Sequence, residues 1–250
     1  MIDRRKKSLR VFLGLVFALA LVAAARTDAQ QKPAAPPPPT APAAAAASEL
    51  DLTEIIRDTQ RMSKKEHQMG LVWWIPEAYW QAAFAQGGVA PERSEALLSK
   101  IRPYNLVAVV DAAIGPMAGM TYTPEPELRK TLRMVDADGN VYSPLLEEEI
   151  GPDATNLVAM LKPMLGKMLG PMGENLQFFA FPAQSKAGKT IADPRAEGRI
   201  TIRLKDEIHV FRLPLGSLIP PKVCPQDKEV LSGAWTYCPW HGVKLVPGSV

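Results

Sequence analysis

The chain has 250 residues, of which 29 are Lys or Arg and 26 are Asp or Glu. Residues 1–29 hold six of the basic and two of the acidic side chains, which leaves 23 and 24 in the remainder. With that balance, the positive footprint of a nucleic-acid binder is not expected, and a nucleic-acid partner is excluded from the reading.

The N-terminus has the three parts of a secretory signal. Arg4, Arg5, Lys6, Lys7 and Arg10 make a positive start, and Val11 to Ala25 is an uncharged apolar run. That run is short of the roughly 20 residues a bilayer span needs. Small residues follow, which places cleavage after Ala29, with Ala25 as the alternative. The expectation is an exported protein, periplasmic or extracellular, with no stable membrane span once the signal is removed. The competing expectation is an uncleaved N-terminal anchor. Gln30 to Ser48 is nearly all Pro and Ala and reads as a disordered, semi-rigid spacer. Residues 49–215 remain for one main domain, and 222–246 for a small appendage.

Leu52, Ile55, Ile56, Thr59 and Met62 recur at helical spacing and predict a helix over 49–66, capped by Ser48. Residues 69–75 predict a strand that stops at Pro76. A helix follows from Glu77 to the glycines at 87 and 88, then another from Pro91 to Ile101. Residues 105–111 (NLVAVVD) are apolar and β-branched, as in a buried strand. Segments 117–124 and 130–136 look extended, and Asp138-Gly139 signals a hairpin turn. Residues 153–172 form a Leu/Met-rich helical stretch with a kink or break at Pro163. Residues 176–181 make a strand, and 199–204 with 207–213 a second hairpin. Pro214, Pro220 and Pro221 mark a linker. Helices and antiparallel hairpins without a βαβ repeat give an α+β class.

The C-terminal stretch carries the most specific chemistry. Cys224 and Asp227 are spaced C-x2-D, ten residues follow, and Cys238 and His241 are spaced C-x2-H. Pro225, Pro239 and Gly242 occupy knuckle positions, and Ser232-Gly233 would turn the hairpin between them. This stretch resembles a zinc ribbon. The resemblance implies a structural zinc ion held by Cys224, Asp227, Cys238 and His241, two of which depart from the usual cysteine, while Lys228 stands where the first knuckle has glycine. Asp and His are legitimate zinc ligands. Because an exported protein meets an oxidising compartment, the alternative is a Cys224–Cys238 disulfide closing a fifteen-residue loop, worth about 3 kcal/mol. Cys238-Pro-Trp-His-Gly also resembles half of a Rieske site, but Gln226 stands where the partner box needs histidine.

Three function classes follow. The first is a non-catalytic protein that binds an envelope protein or component, with the ribbon as a stabilising or docking element. The second is a hydrolase-like envelope enzyme with a site in 73–111, using Asp111 or Glu77 beside Trp73, Trp74, Tyr79 and Trp80. The third is a periplasmic metal-handling protein using Met160, Met164, Met168 and Met172, which requires the methionines to share one cavity. The bland readings are core packing for the aromatics and methionines, a plain turn for Asp136–Asn140 rather than a calcium loop, and surface or satisfied roles for His67 and His209.

Overall fold

The protein was analysed as a computed structural model, which describes residues 50–117 and 119–248; the expected signal, spacer and Ser48 cap lie outside them. Helix α1 (Leu52–Thr59) is capped by Asp51, whose carboxylate accepts from the backbone N–H of Thr53 at 2.8 Å and Glu54 at 3.3 Å. The expected helix over 49–66 is therefore too long. Strand β1 (Gln60–Met62) replaces its last turn and pairs antiparallel with β2 (Gln68–Ile75), Gln60 opposite Trp73. Met62, which fitted the helical period, is exposed.

Proline then opens successive helices. Pro76 precedes α2 (Glu77–Gln86) and Pro91 begins α3 (Pro91–Ile101), each where a missing N–H costs nothing. Strand β3 (Tyr104–Ile114) pairs with β2 along eight residues. Strand β4 (Met120–Tyr122) takes one end of its other edge. Helix α4 (Glu125–Thr131) fills the gap between the two segments expected to be extended and also takes residues 130 and 131, the first two of the second segment. Its Pro124-Glu-Pro-Glu start and Arg129-Lys130 end complement the helix dipole. Strands β5 (Arg133–Val135) and β6 (Val141–Tyr142) form the hairpin expected at Asp138-Gly139. The Asp136 carboxylate closes that turn by accepting from Asp138, Asn140 and Tyr142.

Helix α5 (Pro152–Met168) runs through Pro163 without breaking. A short 3₁₀ segment then brings Gly173 against Gly166, so closely that a Cβ on Gly173 would sit 1.8 Å from the Gly166 carbonyl oxygen. Strand β7 (Gln177–Pro182) returns to the free half of β3. The expected second hairpin is β8 (Gly198–Leu204) and β9 (Glu207–Leu213). The class is α+β, with a five-stranded antiparallel sheet around β2 and β3 and a four-stranded one ordered β6-β5-β8-β9.

The two sheets share one apolar core. Strand β2 is buried on both faces, and its two tryptophans show why. Trp73 stacks edge-on against Tyr79 of α2 at 5.0 Å and donates its indole N–H to Thr59 of α1. Its neighbour Trp74, pointing the opposite way as strand geometry demands, meets Phe211 of β9 at 6.0 Å. Helices therefore cover one face of the first sheet and the second sheet covers the other. Along this seam, Asp111 of β3 binds Lys205 in the β8–β9 turn, and Ser63 donates to Glu207 at 2.6 Å.

Candidate metal centre

Beyond a linker, strands β10 (Lys222–Val223), β11 (Val230–Leu231) and β12 (Val246–Pro247) form a three-stranded sheet with β10 in the middle. Its buried apolar residues, Cys224, Cys238 and Leu245, make a cluster separate from the main core, against which, among the described residues, only Leu231 and Val243 pack. So few apolar groups do not hold a fold by themselves, and small modules of this kind rely on a metal or a covalent staple.

Two knuckles of matching geometry carry the sulfur atoms. In the first, the Lys228 N–H donates to the Cys224 carbonyl at 2.9 Å, and the Cys224 N–H to that of Glu229 at 2.9 Å. In the second, Gly242 donates to Cys238 at 2.9 Å, and Cys238 to Val243 at 2.8 Å. The residue at the bend has a positive φ in both, 65° at Lys228 and 64° at Gly242. The lysine that departs from the ribbon pattern thus takes the glycine conformation. The Ser232-Gly233 turn is also present, with Gly233 pressed against the Pro220 carbonyl so that no Cβ would fit.

The knuckles bring Cys224, Cys238 and His241 together, their ligand atoms within 4.8 Å of one another. Their sulfur atoms are not bonded to each other in this structure. His241 Nδ1 lies 3.4 Å from the Cys224 sulfur and 3.5 Å from that of Cys238. Zinc bonds of about 2.3 Å to sulfur and 2.0–2.1 Å to nitrogen give an S···N tetrahedral edge of about 3.5–3.6 Å. One nitrogen nearly equidistant from two sulfurs fits that edge, whereas a neutral imidazole nitrogen has one lone pair to share between two thiols. The three groups can therefore hold a metal ion. Asp227 stands one step further out. Its Oδ1 accepts from the Glu229 N–H at 3.0 Å, while Oδ2 is 3.6 Å from His241 Nδ1. That backbone bond, with the Cys224 contact, holds the Asp227 carboxyl below its ordinary pKa, and burial pushes the Cys224 thiol up.

The other sequence-derived candidates are dispersed. Asp111 is buried among Lys205, Gln68 and Thr123, the last donating at 2.5 Å. Burial raises its pKa, but these hydrogen bonds outweigh it and the net shift is down. Glu77 instead pairs with Arg102 beside a cavity of about 210 Å³. Asp111 lies opposite Gly70, five strand residues beyond the Leu106–Ile75 pair that precedes Glu77, roughly 17 Å at strand rise. The two carboxylates do not converge. The aromatic cluster is core, with Trp73, Trp74, Tyr79 and Trp80 all buried. Leu157, Leu161 and Leu165 face inward on α5, while Met160, Met164 and Met168 are exposed and Met172 packs on the core, so the four methionines share no cavity. His209 is buried, and loss of solvent lowers its pKa.

The chain matches no family model, no curated protein and no solved structure. No described helix is long and apolar enough to cross a membrane.

Proposed function

We propose that this is an exported, non-catalytic binding protein of the cell envelope, whose C-terminal ribbon is ordered by one structural zinc ion. The observation that carries the metal reading is the His241 nitrogen poised over both knuckle sulfurs at 3.4 and 3.5 Å. Asp227 is the fourth ligand. Its free oxygen is 3.6 Å from that nitrogen, close to the roughly 3.3–3.5 Å N···O edge of a zinc tetrahedron. Four protein ligands leave no open position, so the ion serves to fold the module rather than to activate water. The ribbon then presents Trp235, Tyr237 and Trp240, all exposed, the last at 71%. Aromatic side chains displayed on a rigid small module suit partner docking.

The test is the metal content of the full-length protein, recovered from the envelope of a cell that exports it and purified without reductant. One zinc per chain, lost in Asp227→Ala and in His241→Ala, supports the reading. A Cys224–Cys238 disulfide by intact mass, with no zinc, replaces it by the covalent staple. Sequencing the recovered N-terminus checks export separately, with Gln30 as the expected first residue. An intact Met1 on membrane-bound material would mean an uncleaved anchor.

A further inference from the structure

The outward face of the β5-β8-β9 sheet carries positive charge that the chain's overall balance hides. Register places Arg133 opposite Arg203 and Arg199 opposite Arg212. Like charges directly opposite on neighbouring strands destabilise a sheet. Here two such pairs stand about 13 Å apart along β8. Among the described residues, no carboxylate lies within ion-pair distance of any of the four. Glu207, on β9, is turned to the other side and held by Ser63. Between the arginines, Ile208 and Val210 are 64% and 42% exposed. The alternation sends Ile200, Ile202 and Phe211 into the core, so the arginines and these two apolar side chains share the outer surface.

The patch continues past the β9 edge. Arg61 lies over the Phe211 ring at 4.6 Å and donates Nε–H to the Val210 carbonyl at 3.3 Å. Arg61 and Arg212 then line a cleft of about 490 Å³ with Trp235 of the ribbon; Asp58, also on the cleft, accepts from the Ser217 N–H.

We infer that this face docks on an anionic bilayer surface, with the arginines on lipid phosphates and Ile208 and Val210 entering the headgroup layer. The geometry points to a bilayer over an acidic peptide for two reasons. The face is a two-dimensional sheet surface mixing cations with bare aliphatics, which suits a lipid interface. The edge where a peptide strand would add is already occupied at Val210 by Arg61. The inference goes beyond the metal reading and does not depend on it, since the arginines sit on β5, β8 and β9 rather than on the knuckles.

The experiment measures partition of the full chain onto vesicles of phosphatidylcholine alone and of phosphatidylcholine mixed with phosphatidylglycerol. The N-terminal segment, with its apolar run and the five basic residues before it, is the same in every protein compared, so the change in the anionic-to-neutral ratio between native chain and variant isolates the sheet face. Each surface arginine contributes about five-fold to such a ratio. The triple variant Arg199→Gln, Arg203→Gln, Arg212→Gln should therefore lower it on the order of 100-fold, and added salt should lower it for the native chain. Because the substitutions relieve like-charge pairs, the variant should melt no lower than the native protein, and about 1–2 °C higher if each relief is typical. Equal partition of the native chain onto both vesicles overturns the inference, as does a variant that keeps its anionic preference. Preferential capture by soluble poly-glutamate, with no anionic-vesicle preference, would overturn it in favour of an acidic protein partner.

Discussion

Lys228 and Gly242 offer a test of the ribbon at the level of one backbone angle. Both have φ near +65°, and both donate to the carbonyl of their knuckle cysteine at 2.9 Å. A left-handed conformation costs a side-chain-bearing residue about 1–2 kcal/mol, and glycine escapes it at about 0.5–1 kcal/mol of extra unfolded-state entropy. Lys228→Gly also forfeits an exposed hydrogen bond from Nζ to the Pro225 carbonyl at 3.2 Å, worth a few tenths of a kcal/mol at such a surface. The net expectation is a gain of about 0.5 kcal/mol. In a module that folds with its metal, this appears as roughly two-fold tighter zinc binding. The mirror substitution, Gly242→Ala, introduces a Cβ that meets nothing within 4 Å. Its cost is the strain less the unfolded-state entropy that glycine carried, about 0.5–1 kcal/mol or roughly two- to five-fold weaker binding. Lys228→Ala removes the charge and the Nζ bond but keeps the strained conformation, so it should not tighten binding. Competition against a chromophoric zinc chelator reads all three. If Lys228→Gly binds no better than Lys228→Ala, the first knuckle does not hold its lysine left-handed, and the equivalence of the two knuckles fails.

Two further substitutions probe the main domain. Asp111→Asn should cost about 1–3 kcal/mol in urea unfolding at neutral pH, since it removes a charge-assisted partner of Lys205 while that ammonium still reaches solvent. The folded carboxyl has a lowered pKa, so its stabilisation is complete above about pH 3.9 and is lost as pH falls below that toward the folded value. The gap between native and variant should therefore narrow at pH 3; a gap that widens there would refute the ion pair. Gly173→Ala would drive a Cβ into the Gly166 carbonyl. Overpacking of rigid backbone should cost about 3 kcal/mol and lower Tm by roughly 10 °C, while an unchanged melt would mean that the close approach is absent.

What was legible in the sequence was local. Strands β2 and β3 and helices α2 and α3 were legible, with Pro76, the glycines at 87 and 88 and Pro91 as their boundaries, punctuation that acts through the chain's own φ and missing N–H groups. The gathering of Cys224, Cys238 and His241 was readable for the same reason, because each knuckle is a local turn of the chain. The end of α1 was not, because Gln60–Met62 is made a strand by β2, and Met62 satisfied a helical period by coincidence. Helix α4 has no hydrophobic period to mark it, although its prolines, early acids and late bases are all visible in the sequence. The direction of the methionines needed the structure, since alternating Leu and Met fit either face until α5 was seen to bury the leucines.

The arginine face shows a different kind of illegibility. Arg133 and Arg203 are seventy positions apart, and only strand register makes them neighbours. A net charge near zero is an average over the whole surface, whereas a bilayer or an acidic partner meets one face at a time within a Debye length of about 8 Å. The ribbon bears on this face as well. The main core closes without it, but Trp235 and Ser232 form part of the wall of the cleft that Arg61 and Arg212 line. The ribbon's own core is two thiols, Leu245 and two half-buried neighbours. Whatever joins those thiols, metal or disulfide, therefore also decides whether that wall is rigid. The chemistry of Cys224 and Cys238 thus shapes one end of the basic surface without contributing a charge to it.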